Sequence, residues 1–184
     1  MLNPSPGMVV GGRYLLVRPL AKGGMGSVWI ARHRDLDVDV SLKFMEPSLL
    51  ANADLRARFE REAKVAARLS SRHIVKVLDY GADDGMPYIA MELLRGESLA
   101  DRIAREGRLS VGVTRHLLGQ VCRALRVAHA DGLVHRDLKP GNIFLAHEDN
   151  EEVVKVLDFG IVKETGNSET SDGKVETATG LAMG

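Results

Sequence analysis

The hydrophobic period changes twice along this chain, and that limits its fold more than any other feature. From Tyr14 to about Met45, three short runs, "RYLLVRPL", "GSVWIARH" and "VDVSLKFM", are separated by Gly or Asp clusters and read as strands. Leu55, Phe59, Ala63, Ala66 and Leu69 then recur every three or four residues, with Arg and Lys on the other side, which predicts a helix. Next, "HIVKVLDYG" and "MPYIAMELL" flank "ADDG", a hairpin signal. A longer helix is expected from Ser110, a good N-cap, through Val113, Leu117, Val121, Leu125 and Ala128. Two short strands, "NIFLA" and "VVKVLDFG", follow it, joined by the polar turn "HEDNEE". The pattern is α+β: a strand-rich first half with one helix, then a mainly helical second half with a small hairpin. Two lobes are expected, with a cleft between them near Met91–Gly96, and there is no internal repeat.

A length of 184 residues allows one sizeable domain or two small lobes. Twenty-five basic and twenty-five acidic side chains cancel, so no global field favours nucleic acid or an acidic membrane. The single cysteine, Cys122, cannot form an internal disulfide, which suits a reducing cytosol. Its place in the helical pattern predicts a buried structural thiol. The N-terminus lacks a basic region with a long apolar core, and no apolar run approaches the ~20 residues of a membrane span. The expected location is cytoplasmic. Residues 1–12 are Pro- and Gly-rich and read as a leader, and the Ser/Thr/Gly/Glu-rich end reads as a loop.

Several groups along this framework could carry chemistry. In "LAKGGMGSVW", Gly23, Gly24 and Gly26 would let backbone N–H groups approach a polyphosphate, although an ordinary hairpin can use the same glycines. The turn is not a Walker A loop, because no Gly-Lys-Ser/Thr follows, and a succeeding strand disfavours a dinucleotide fingerprint. Strand alternation turns Lys43 away from Leu42 and Phe44, either toward solvent or toward phosphates beneath the glycine turn. Glu62 lies on the margin of its helix's inward face, as a solvated charge or as a partner for Lys43. In "VHRDLKPGN", Pro and Gly end the helical run and display the polar groups on a loop. Asp137 there could accept a proton from a hydroxyl, and Lys139 could neutralise a transferring phosphoryl group. Asn142 and Asp158 offer the hard oxygen ligands that Mg²⁺ prefers.

Taken in order and spacing, "GGMGSV", "VSLK", "RFEREA", "MELL", "HRDLKPGN" and "KVLDFG" resemble the eukaryotic-like (Hanks-type) serine/threonine protein kinases of bacteria. The resemblance runs from about Tyr14 to Gly184. It implies a protein-kinase-like two-lobed fold, with a leader at 1–12, an antiparallel-sheet N-lobe plus one helix at 13–94, and an incomplete, mainly helical C-lobe at 95–184. The implied activity is ATP-dependent phosphoryl transfer to Ser/Thr hydroxyls of proteins, with Mg²⁺, for which Mn²⁺ could substitute. The implied partners are protein substrates and another kinase chain for trans-autophosphorylation.

By that resemblance, Gly23, Gly24, Gly26 and Val28 cover ATP, and Lys43 contacts its phosphates while pairing with Glu62. Met91 is the gatekeeper, the backbones of Glu92 and Leu94 bind adenine, and Phe144 lies under the ring. Asp137 and Lys139 are catalytic, and Asn142 and Asp158 hold the metal. His135 and Phe159 stack behind the site. Arg136 grips a phosphate on the activation loop, with Thr177 and Thr179 the phosphorylation candidates.

The match departs from the family at three places. Ala21 stands where the first loop glycine is usual, and Ser41 replaces the usual alanine in the adenine ceiling. After "TATGLAMG" the family continues into further helices, and without them the helix from Ser110 is expected to expose apolar side chains. The chain therefore reads as a kinase truncated before the end of the activation segment. The alternative function is an inactive fragment that acts as a nucleotide- or partner-binding module.

Overall fold

The computed structural model describes residues 3–23, 26–45 and 53–159, except for the side chains of Gly23, Leu55, Arg56, Arg58 and Glu62. Six strands form the first sheet: β1 (Val9–Val10), β2 (Tyr14–Gly23), β3 (Gly26–His33), β4 (Val38–Met45), β5 (Val77–Asp83) and β6 (Met86–Glu92). They lie in the order β1-β2-β3-β4-β6-β5, every pair antiparallel. Alternation sorts the side chains of β4. Leu42 and Phe44 join Leu16, Trp29 and Tyr88 in one core, while Met45 meets Phe59 and Ala63 of α1 (Ala53–Ala66) in another.

Two contacts curl the sheet until its ends meet. The Tyr14 hydroxyl donates to Asp79 on β5 at 2.9 Å, and the Gly11 amide donates to Asp83 at 3.1 Å. Burial, together with the Asp79 carboxylate, pushes the Tyr14 phenol well above its usual pKa. Gly81 is required at this closure, because a Cβ there would lie 2.5 Å from the Tyr88 hydroxyl.

The second lobe begins with β7 (Gly96–Ser98) and α2 (Leu99–Glu106), followed by α3 (Val111–Ala130) and the hairpin of β8 (Ile143–Glu148) and β9 (Glu151–Val156). Both hairpins close as expected on two-residue turns with positive φ throughout: Asp84–Gly85 at 45° and 76°, Asp149–Asn150 at 46° and 68°. Ser110 caps α3 as expected, accepting from the Val113 amide at 3.2 Å. Leu117, Val121, Ala124 and Ala128 of α3 pack on Ile143, Leu145, Val154 and Val156.

The structure corrects four expectations. The segment read as a leader contributes β1, with Val10 fully buried against the sheet. Cys122 is exposed rather than buried. The buried stripe of α3 runs through Leu117, Gln120, Val121, Ala124 and Ala128, and Cys122 lies about 100° past Val121 around the axis. Val113 is exposed as well, although it shares the azimuth of that stripe one turn before Leu117, where no described element covers it; Val111 and Leu118 are exposed on the other side. Finally, α2 was not foreseen. Ser98 and Asp101 form a reciprocal capping box at its start, and Gly107 at φ 76° ends it.

Candidate functional site

The cleft face of β4 carries Ser41 and Lys43, two residues apart and therefore on the same side of the sheet. Lys43 Nζ lies 2.5 Å from Asp158 Oδ1, joining the upper sheet to the segment after β9. The expected Lys43–Glu62 pair falls outside the described residues, since the Glu62 side chain is not among them. Above Lys43, Ala21 pairs with Val28 and Gly23 with Gly26, so the glycine turn is the β2–β3 hairpin. Gly26 has φ 140°. Register shifts flank Pro19, where the missing amide would break a regular ladder. Gly24 lies outside the described residues.

Met91 is buried at the end of β6, and Glu92 and Leu94 lead into the connection between the lobes. Phe144, half-buried on β8, is paired in register with Ser98 of β7. Ser41, almost fully buried, donates through its hydroxyl toward two carbonyls of this connection: Met91 at 3.4 Å and Glu92 at 3.2 Å.

The loop after α3 gathers the remaining groups. Lys139 Nζ donates to Asp137 Oδ2 at 2.8 Å. Asn142 Nδ2 donates to the Asp137 carbonyl at 2.8 Å and to its Oδ2 at 3.3 Å, which turns the Asn142 amide oxygen away from Asp137. His135 is buried and packs against Phe159 with ring centroids 4.9 Å apart and the ring planes tilted by 52° rather than stacked. Its Nε2 faces the Leu157 carbonyl at 2.7 Å, and its Nδ1 faces the Asp137 amide at 3.3 Å. A carbonyl can only accept and an amide N–H can only donate, so the network calls for a neutral ring with its proton on Nε2. Through this ring the loop that holds Asp137 is registered against the segment that holds Asp158.

Two non-glycine residues here have left-handed backbone, Arg136 at φ 59° and Asp158 at φ 47°. Such strain persists only where the surroundings enforce it. The Leu157 amide donates to the Asn142 carbonyl at 2.9 Å and so fixes the residue before Asp158. Thr177 and Thr179 lie outside the described residues. Arg136 lines a cavity of about 530 Å³ with Asp54, Arg61 and Asp131. The sequence did not single out Arg61; its spacing from Phe59 gives no sign that it faces this cavity.

The structure also assembles a polar cluster that the sequence did not single out. Lys155 on β9 has a side chain only 7% exposed, and its ammonium reaches Glu92 at 3.1 Å and Glu148 at 2.9 Å. Glu92 Oε1 also accepts from the Lys76 amide at 2.8 Å, and Arg72 bridges Glu148 and Glu151. Burial opposes the charge on Lys155, but the two carboxylates outweigh it and leave its pKa raised. The bond from Lys155, with Arg72 beside it, holds Glu148 below the usual carboxylate range.

Comparison with known proteins decides what these groups belong to. The family model described as the protein kinase domain matches residues 14–181. The chain belongs to the protein kinase family. Among curated kinases, it is 42% identical over 180 residues to serine/threonine-protein kinase pkn3 of Myxococcus xanthus, covering 97% of this chain and 32% of that protein. It is 39% identical over 188 residues to serine/threonine-protein kinase PknA of Mycobacterium tuberculosis, covering all of this chain and 42% of that protein. This kinase chain therefore spans 32% and 42% of these relatives' lengths. The crystal structure of the Mycobacterium tuberculosis PknI kinase domain superposes with a TM-score of 0.79 at 35% identity, over 88% of this chain and 64% of that one. The two-lobed protein kinase fold expected from the sequence motifs is thereby established. No helix among the described residues is long and apolar enough to cross a membrane.

Proposed function

We propose that this chain is the catalytic core of a non-specific serine/threonine protein kinase, moving the γ-phosphoryl group of ATP to Ser and Thr hydroxyls of proteins. The observation that carries this reading is that His135 and the Leu157–Asn142 bond tie the segment bearing the Lys43–Asp158 pair to the loop bearing Lys139, Asp137 and Asn142. Two cations and two carboxylates facing one cleft suit a polyphosphate and a hydroxyl nucleophile. The proposed lobes, residues 13–94 and 95–184, meet at this cleft.

In this reading the backbones of Glu92 and Leu94 orient the base, with Val28 above it and Phe144 below. Lys43 exchanges its contact with Asp158 for the α- and β-phosphates. Asp137 orients the incoming hydroxyl and receives its proton as the new P–O bond forms. The bond from the γ-phosphorus to the bridging oxygen breaks, and Lys139 offsets the charge on the transferring group. The donor set fits Mg²⁺: Asp158 and Asn142 supply one carboxylate and one amide oxygen, and Mg²⁺ commonly takes one or two protein oxygens with substrate phosphates and water. When bound, the ion supplies neutralisation of phosphate charge, and Mn²⁺ suits the same oxygens.

The protein partners are substrates with Ser or Thr hydroxyls, and a second kinase chain for trans-autophosphorylation. Arg136 and Arg61 face the cavity where a phosphate on Thr177 or Thr179 would find cationic partners. The location is cytoplasmic.

Intact-mass measurement after incubation with Mg-ATP, beside Asp137→Asn, tests the reading. Phosphate-sized increments in the wild type that vanish in the variant are expected. A folded wild-type chain that binds no ATP and gains no mass would overturn it.

A further inference from the structure

Ser41 is a buried hydroxyl that the phosphoryl-transfer scheme does not use. It sits on β4 opposite Met91 of β6, on the same face of the strand as Lys43. Its side chain therefore opens onto the cleft rather than into the sheet core that Leu42 and Phe44 fill. Among the described residues, the polar atoms bonded to it are carbonyl oxygens, Glu92 at 3.2 Å and Met91 at 3.4 Å. Carbonyls only accept, so the hydroxyl must donate its one proton to this pair, and the shorter contact is to Glu92.

We propose that Ser41 is a base-selectivity residue of the nucleotide site: its hydroxyl shares the Glu92 carbonyl with the base and so weakens the preference for a 6-amino purine. This rests on the reading in which the Glu92 carbonyl faces the base. With a methyl group at position 41, that oxygen would have both lone pairs available, and a base bringing an amino group would be strongly preferred. A base presenting a 6-oxo group would leave the buried carbonyl without a donor, which is how sites built for a hydrogen bond reject analogues. Ser41 changes both sides of that comparison. The carbonyl already holds a donor, so an amino group gains less there. The hydroxyl can also rotate and donate to a 6-oxo oxygen; its one proton serves only one of the two facing oxygens at a time, so it lessens the acceptor–acceptor conflict without removing it. The penalty against a 6-oxo purine at this carbonyl is thus smaller than it would be with a methyl group at position 41; the change at N1 that accompanies a 6-oxo group faces Leu94 in every variant and cancels in their comparison.

The test is competition of ATP and inosine triphosphate against a fluorescent adenine nucleotide on the full chain, for wild type, Ser41→Ala and Ser41→Cys. The ratio of the two dissociation constants is the readout, because a general effect on folding or on phosphate binding cancels in it. Ser41→Ala is expected to raise the preference for ATP over inosine triphosphate by about three- to tenfold, the worth of one net hydrogen bond. Ser41→Cys, which keeps the shape with a poor donor, is expected to move the same way and serves if the alanine variant does not fold. A ratio unchanged within about twofold in both folded variants, or a fall in either, overturns the role of Ser41 while leaving nucleotide binding intact. Failure of the wild type to bind either nucleotide overturns the proposed function and the Ser41 inference with it.

Discussion

Lys43 and Lys155 are both strand lysines drawn into the protein, and they are held in opposite ways. Lys43 is 13% exposed and, among the described side chains, meets Asp158, which is itself 36% exposed and carries a strained backbone. Lys155 is 7% exposed and meets two carboxylates, Glu92 and Glu148, with Arg72 and the Lys76 amide supporting them from behind. The first arrangement joins the ammonium to a carboxylate that is itself partly open to solvent. The second is saturated from both lobes and leaves no reason for a ligand. A buried cation is therefore a weak guide to chemistry until its partners are counted.

The largest effect that would break this contrast is loss of transfer at Lys43. Lys43→Met is expected to lower phosphoryl transfer by at least ~10²-fold, the scale of removing one preorganised electrostatic contact. Its thermal midpoint should stay within a few degrees of wild type, because Asp158 can be solvated once its partner is gone. Lys155→Met should do the reverse. Removing the ammonium leaves Glu92 and Glu148 facing a hydrophobic group, which is expected to cost about 3 kcal/mol, at the lower end for a broken buried pair because both carboxylates reach solvent. For a chain of this size that is a fall of about 6–12 °C in Tm. Differential scanning calorimetry beside single-turnover kinetics reads both. Equal losses of Tm in the two variants would remove the distinction between a cation held for chemistry and one held for structure.

The same contrast explains what could be read from the sequence. Lys43 was legible because local alternation placed it opposite Leu42 and Phe44, and the motifs around it repeat a known order. The strands and both hairpin turns were legible for the same local reason, since Asp84–Gly85 and Asp149–Asn150 accept positive φ cheaply. Lys155 was not legible: its nearest hinge partner, Glu92, is 63 residues away, and "VVKVL" alone reads as an ordinary strand. The Ser41 contact depends on its register with Met91 across β4 and β6, which no spacing along the chain reveals. Cys122 was misplaced by a phase error around α3, where buried Gln120, donating to His116 and accepting from the Val154 amide, interrupts the apolar count. Arg61 needed the cavity beside Arg136 to show its direction.

α2 is the miss that a local signal could have prevented, and it tests the contrast at smaller scale. Ser98, Asp101 and Gly107 mark both ends of this helix, yet it is short and its apolar positions are few. Ser98→Ala removes the bond to the Asp101 amide and half of the capping box, and is expected to cost about 1 kcal/mol. That is about 2–4 °C in Tm, with nucleotide affinity unchanged. A loss as large as that of Lys155→Met would mean that α2 contributes as much as the buried cluster.

The smallest effect concerns Glu97, an ion pair that has neither the burial of Lys155 nor the cleft of Lys43. Its carboxylate accepts from Arg105 at 2.7 Å and from Arg102 at 2.5 Å, and these bonds hold its pKa down to about 2 from a usual 4.5. A carboxylate depressed in the folded state stabilises above its unfolded pKa, and that contribution fades as pH falls through the folded value. The Tm of the wild type should therefore drop between about pH 4.5 and 2 more steeply than that of Glu97→Gln, the two curves converging at the acid end. Because this pair is solvent-screened, the gap at neutral pH should be small and should shrink further in 1 M salt. Curves that run parallel across the acid range would show that the pair adds nothing. A gap that survives high salt would mean that Glu97 is held as firmly as the carboxylates around Lys155, and partner count rather than burial would then be what separates the strong sites from the weak ones.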